Sequence, residues 1–147
     1  MSLSSLLRAD LKEAVRSGNS LRVSVIRLAL AALHNREIEK RGDLTEDEGL
    51  GVLSTEAKKR RESAQAYRAG GRESLAEQEE QELKIIEKYL PERLSGAELE
   101  ELVQTVAAEI GTTDLSDLGR LMGAVMAKVK GRADGADVRR AAEGILK

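Results

Sequence analysis

The chain has 147 residues, with 24 lysines and arginines against 26 aspartates and glutamates, a formal net charge of −2 and no cysteine. That size allows one medium domain or two small ones, and the missing cysteines exclude disulfide and thiol chemistry and fit a cytoplasmic protein. The charge balance excludes a generic nucleic-acid binder, so no DNA partner is expected and any basic site has to be local.

Helical signals run from end to end, with no alternating strand pattern, and the fold class expected is all-α. A first helix covers about Ser4 to Ser17, with Leu7, Leu11, Ala14 and Val15 as its apolar stripe; it is amphipathic rather than a signal-like apolar run. Gly18-Asn19 stops it, and Asn19 or Ser20 can cap the next helix. That next helix, Leu21 to Arg41, is the central one. Between Leu21 and Leu33 only Arg22 and Arg27 are charged, so its apolar residues go almost right round and should be covered on several sides. His34 to Arg41 turns polar and should project past that cover. No window approaches the apolar length of a membrane span, and no membrane partner is expected.

Gly42-Asp43 ends the central helix, and Thr45 to Glu48 reads as a capping box opening a third helix that runs to about Ala69. Gly70-Gly71 makes a tight turn into a fourth, Arg72 to Leu90, stopped by Pro91, the one proline. Pro91 also marks the expected boundary between two parts, residues 1–91 and 92–147. The first is expected to be helical hairpins around the central apolar helix, and the second a small three-helix bundle. In the second part Ser95 to Glu98 is another capping box. Leu99, Leu102, Val103, Val106 and Ile110 then share a face up to Gly111. A helix from near Ser116 or Asp117 should end at Gly131, and a last one should be capped by Asp134. Gly119 and Gly123 are expected to permit close helix packing.

The third helix carries the densest basic run. Lys58, Arg61, Arg68 and Arg72 fall on one flank of its apolar stripe and are candidates for phosphate contact, although a solvated face neutralised by Glu73, Glu77 and Glu80 opposite is the preferred reading. Arg60 instead sits inside the stripe, and Glu79 and Glu82 interrupt that of the fourth helix. In an antiparallel pair about Gly70-Gly71, residue numbers at equal height sum to about 141, which sets Arg60 level with Glu82 and one turn from Glu79. A buried or half-buried Arg60–Glu82 pair is expected, which Glu79 could share; losing one partner of such a pair costs about 3–5 kcal/mol.

The second basic constellation is Lys128, Lys130 and Arg132 around Gly131, leading into a helix N-terminus. Its cations and free amides could hold phosphate, or could serve as helix punctuation. With two tyrosines, no tryptophan and no phenylalanine, base stacking is a minor resource, and RNA would be held by phosphates and shape. His34 is the single histidine, without a nucleophile or clustered ligands beside it. No catalytic constellation, metal site or cofactor is expected.

Several blocks resemble one known family. Leu28 to Leu33 leading to Asn35 and Glu37-Ile38-Glu39, Glu56 to Ser63, Gly71-Arg72, Glu79 with Glu82-Leu83, and Tyr89-Leu90-Pro91 are similar to the YqeY-like proteins. So are Met122-Gly123, Val125-Met126 and Lys130 to Gly135, and the likeness spans essentially the whole chain. The resemblance implies an all-helical, two-part protein. Its second part, about Ser95 to Lys147, would be similar to the tail domain of the B subunit of tRNA-dependent amidotransferase, and Lys128, Lys130 and Arg132 fall in the matching motif. It also implies the family description of a carbon–nitrogen ligase with glutamine as amide donor, although the amidotransferase's kinase-like cradle and its amidase partner have no counterpart here. The function expected is a non-catalytic module that binds tRNA or a tRNA-handling protein complex. The alternative is a protein–protein adaptor using the His34–Arg41 end and the Met122/Met126 face, and an amidotransferase accessory enzyme ranks last.

Overall fold

Local sequence writes the helix starts. The computed structural model describes residues 2–146, and among these the chain is all-α, with seven α-helices and no strand. They are α1 Leu3–Ser17, α2 Ser20–Lys40, α3 Glu46–Ala69, α4 Glu73–Glu87, α5 Gly96–Ile110, α6 Leu118–Val129 and α7 Gly135–Ile145; a 3-10 turn, Leu115–Asp117, precedes α6. Both capping boxes form. The Thr45 hydroxyl accepts from the Glu48 amide at 3.1 Å while the Glu48 carboxylate accepts from the Thr45 amide at 3.0 Å, and Ser95 with Glu98 repeats the arrangement. Asn19 caps α2 by accepting from the Arg22 amide.

The helix ends differ from expectation in three places, each for a backbone reason. First, α4 stops at Glu87 rather than Leu90; proline clashes with the carbonyl four residues back and disfavours helix at the residue before it. Second, α2 and α6 are closed by cations rather than glycines. Arg41 takes φ 62 ahead of Gly42, and Lys130 takes φ 46 ahead of Gly131, itself at φ 82. Third, Asp134 stands at the start of α7 without capping it through its side chain. Its carboxylate faces Arg93 instead, at 3.5 Å.

The chain divides into two compact units, Met1–Pro91 and Glu92–Lys147. In the first, α2 touches α1, α3 and α4, and α3 runs along α4. Leu7, Val25, Ile26, Ala29, Leu33, Leu53, Ala57 and Ile86 form its core; each large side chain among them contributes about 1.5–3 kcal/mol by leaving water. Three helices cover α2, as its apolar circumference leads one to expect, but the cover is incomplete, because Leu28 is 53% exposed. Val25, Ile26, Ala29 and Leu33 fill one half of its circumference with three neighbouring helices, which leaves the other half open.

In the second unit α5, α6 and α7 touch one another around Val103, Val106, Leu121, Val125, Val129 and Val138. Gly119 and Gly123 do not serve close packing there. A Cβ at either would meet nothing within 4 Å, and nothing in the structure explains two glycines inside an exposed helix face.

Candidate nucleic-acid interface

The turn between α6 and α7 is built by its own cations. Arg132 Nε donates to the Glu92 carbonyl at 2.6 Å, and the Leu94 amide donates to the Arg132 carbonyl at 2.9 Å. Arg132 therefore braces residues 92–94, and its charge helps Ser95 to hold the Glu98 carboxyl below its ordinary range. Beside it Arg93 reaches Asp134 at 3.5 Å and Asp137 at 3.3 Å. These two carboxylates sit at the α7 N-terminus, where the helix dipole favours negative charge. The open anion cradle expected there is thus already occupied by the protein's own acids.

Lys128 pairs with Glu109 at 3.0 Å, both side chains about half exposed. Surface pairs of this kind are worth about 0–1 kcal/mol, so an incoming phosphate can replace the carboxylate. Lys130 differs from both. It is exposed, makes no ion pair or hydrogen bond among the described residues, and projects from a left-handed residue at the end of α6. Of the three cations named from sequence, the structure leaves this one uncommitted.

The α3 flank is largely engaged. Arg68 binds Glu73 through Nε at 3.1 Å and Glu80 through Nη1 at 2.6 Å, which pushes its guanidinium further up and the Glu80 carboxyl down. Lys58 stands 4.0 Å from Glu62, and Arg61 is half-buried and has a partner. Arg72 is exposed before α4 and makes no side-chain cap. The neutralising reading therefore describes Arg68 well, and leaves Arg72 and the loosely paired Lys58 accessible.

Arg60 is the one buried charged residue among those described, 7% exposed. Its Nη1 meets the Glu56 carbonyl at 3.2 Å and the Glu56 carboxylate at 3.4 Å, while its Nε lies 3.8 Å from Glu82. Glu56, four residues earlier on the same helix, was missed from sequence, although helical spacing predicts such contacts. Burial pushes the Glu82 carboxyl up, and the neighbouring Glu79 charge and a hydrogen bond to it push the same way against Arg60. Glu79 thus acts on Glu82 rather than relieving it.

Sequence reasoning also missed a long-range tie. The Tyr89 hydroxyl donates to Asp10, whose carboxylate lies 3.8 Å from Arg22. No periodicity signals that contact, since Tyr89 follows the end of α4 in sequence. The Met122/Met126 face is split: Met126 is 38% exposed and Met122 packs against the second core. At the far end of α2, Ile38 is 61% exposed and His34 is exposed too.

Among the described residues no helix is long and apolar enough to cross a membrane, and no group of three or more metal-ligating side chains forms. Fold and surface together define a two-unit, all-α protein whose polar chemistry lies on helix flanks and turns. The chain belongs to the YqeY-like family, whose model, described as Yqey-like protein, matches residues 4–146. Among its relatives is "Altered inheritance of mitochondria protein 41, mitochondrial" of Clavispora lusitaniae, 33% identical over 86% of this chain and 74% of that protein. The protein of the same name from Pyrenophora tritici-repentis is 30% identical over 86% of this chain and 71% of its own length. That from Vanderwaltozyma polyspora is 30% identical over 76% and 64%.

Proposed function

We propose that this chain is a non-catalytic module that holds tRNA by its phosphate backbone, alone or as part of a tRNA-handling complex. The observation that carries the reading is Lys130. A side chain other than glycine is disfavoured in the left-handed region by about 1–2 kcal/mol, yet a lysine stands there, exposed and unpaired, directly before a glycine. Backbone strain kept for an accessible cation suits a residue that meets an anion. Lys128, held only by a surface pair, supports it, while Arg132 shapes the turn. Hairpins around α2 and a three-helix second unit provide the frame, with the second unit similar to an amidotransferase tail. The carbon–nitrogen ligase description attached to such tails concerns the complex they serve. The reading places the module in the cytoplasm; its relatives are named for mitochondria.

Titration of the purified protein with bulk tRNA at low and near-physiological salt tests this. Saturable binding that weakens with salt and falls in a Lys128→Ala/Lys130→Ala/Arg132→Ala variant of unchanged helicity is the expected result. Failure to saturate at low salt would favour a protein–protein adaptor, the second reading, which draws on the exposure of Leu28, Ile38 and Met126.

A further inference from the structure

Charge on α1 is sorted by side. Arg8, Lys12 and Arg16 recur every four residues, so they stack along one flank and climb about 6 Å from each to the next. All three are exposed, and none makes an ion pair or hydrogen bond among the described residues. The acids of the same helix, Asp10 and Glu13, lie on the other flank, where Arg22 of α2 stands 3.8 Å from the first and 3.9 Å from the second. The negative charge of α1 is thus neutralised from α2 and its positive charge is not. Like charges four apart repel and weaken a helix, and in a chain with more acids than bases this separation is not forced by composition.

The basic edge continues onto α2. Arg27 is exposed and unpaired, and lines one open dish with Val15, Ser20, Ser24 and Leu28. Arg8, by contrast, shares an open cavity with Glu37, Asp43 and Glu46, which dilute its field.

We propose that Lys12, Arg16 and Arg27, extended by Arg8, form a second phosphate-contact surface that tracks one RNA strand along the α1–α2 edge. The inference rests on the RNA-binding reading and adds to it a site in the first unit. Three features favour a nucleic-acid backbone. The rise between α1 cations is close to the separation of successive phosphates on a strand. Cations without internal partners take up phosphate without first breaking a pair. Leu7 and Ala14 of α1 are fully inaccessible, and its exposed apolar side chains, Leu6 (40%) and Val15 (56%), are nine residues apart and so on opposite sides of the helix, which leaves no continuous hydrophobic face to insert into a lipid surface.

The test uses the full chain, bulk tRNA and phosphatidylserine vesicles, with wild type compared with Lys12→Gln/Arg16→Gln/Arg27→Gln and a charge-keeping Lys12→Arg/Arg16→Lys/Arg27→Lys control. The Gln variant should melt as wild type does and bind tRNA about tenfold or more weakly at low salt. Its plot of log affinity against log salt should be shallower by about 2–3, three contacts at roughly 0.7–0.9 each. The control should keep the wild-type slope. Wild-type binding that the Gln variant matches in affinity and slope would overturn this surface and leave the RNA reading standing. No tRNA binding by wild type would overturn both. Loss of the slope in the charge-keeping control, or vesicle binding stronger than tRNA binding and abolished in the Gln variant, would overturn the phosphate-strand account.

Discussion

Tyr89 donates its hydroxyl hydrogen to Asp10, 79 positions earlier, and so ties the segment after α4 to α1. Burial first, then the Asp10 carboxylate, raises the phenol to about 12 from an ordinary 10, with Arg22 opposing. A group whose folded value is raised contributes stability that is complete below its unfolded value and is lost as pH climbs through the folded one. The stability difference between wild type and Tyr89→Phe should therefore be constant below about pH 10 and vanish by about pH 12. At pH 7 the substitution should cost about 1.5–3 kcal/mol, as for a hydrogen bond to a charged group. Denaturant melts of the two proteins across pH measure this, and a difference that persists above pH 12 would contradict it.

The cluster inside the α3–α4 pair predicts an asymmetry. Arg60→Met removes the buried cation between Glu56 and Glu82, leaves Glu56 with the exposed Lys59 at 3.6 Å, and should destabilise by about 3–5 kcal/mol, since the carboxylates stay behind. Glu82→Gln removes a carboxyl that burial and Glu79 have pushed up, a penalty that grows as pH rises through its folded value. Its melting temperature at pH 7 should equal or exceed that of wild type. Equal losses in the two variants would show instead that Glu82 is the main counterion.

Capping predicts a third pair of outcomes. Thr45→Ala and Ser95→Ala should each cost about 1 kcal/mol through orphaned amides. Glu48 is held at about 2, first by its hydrogen bond to Lys40 and then by the Thr45 amide. A lowered carboxylate stabilises above its unfolded value near 4.5, and that contribution is lost as pH falls toward 2. Glu48→Gln should flatten the acid limb of the stability profile between those values. Thermal melts from pH 2 to 7 are the measurement, and an unchanged limb would count against the account.

How legible this was depends on the range of the signal. Thr45 with Glu48, Ser95 with Glu98 and the core positions Leu7, Ala14, Val103 and Val106 declare themselves within a few residues, in capping signals and apolar stripes. The burial of Arg60 was legible too, because a cation inside an apolar stripe needs a counter-charge. Tyr89–Asp10 was not, since it depends on how distant segments meet. Nor was the division of labour among Lys128, Lys130 and Arg132. Side chains alike in sequence differ in whether a carboxylate or carbonyl happens to lie within reach. The basic flank of α1 was overlooked for the opposite reason: three single cations four apart look unremarkable until their acids are seen to be held elsewhere.

Lys130→Gly separates folding from binding. Glycine adopts φ 46 without strain, so the variant should gain about 0.5–1 kcal/mol in denaturant melts while losing affinity for tRNA. A variant that is less stable would contradict the strain assigned to Lys130, and one that binds tRNA as well as wild type would remove Lys130 from the interface.

The most direct measurement is the affinity for bulk tRNA across a salt series, for wild type beside Lys130→Ala. Wild type should give a straight, steep fall of log affinity with log salt, and Lys130→Ala a slope shallower by about 0.7–0.9, one phosphate contact. Binding that ignores salt, or none that saturates at the lowest salt, would contradict an RNA-backbone module and leave an apolar docking surface as the account of this chain.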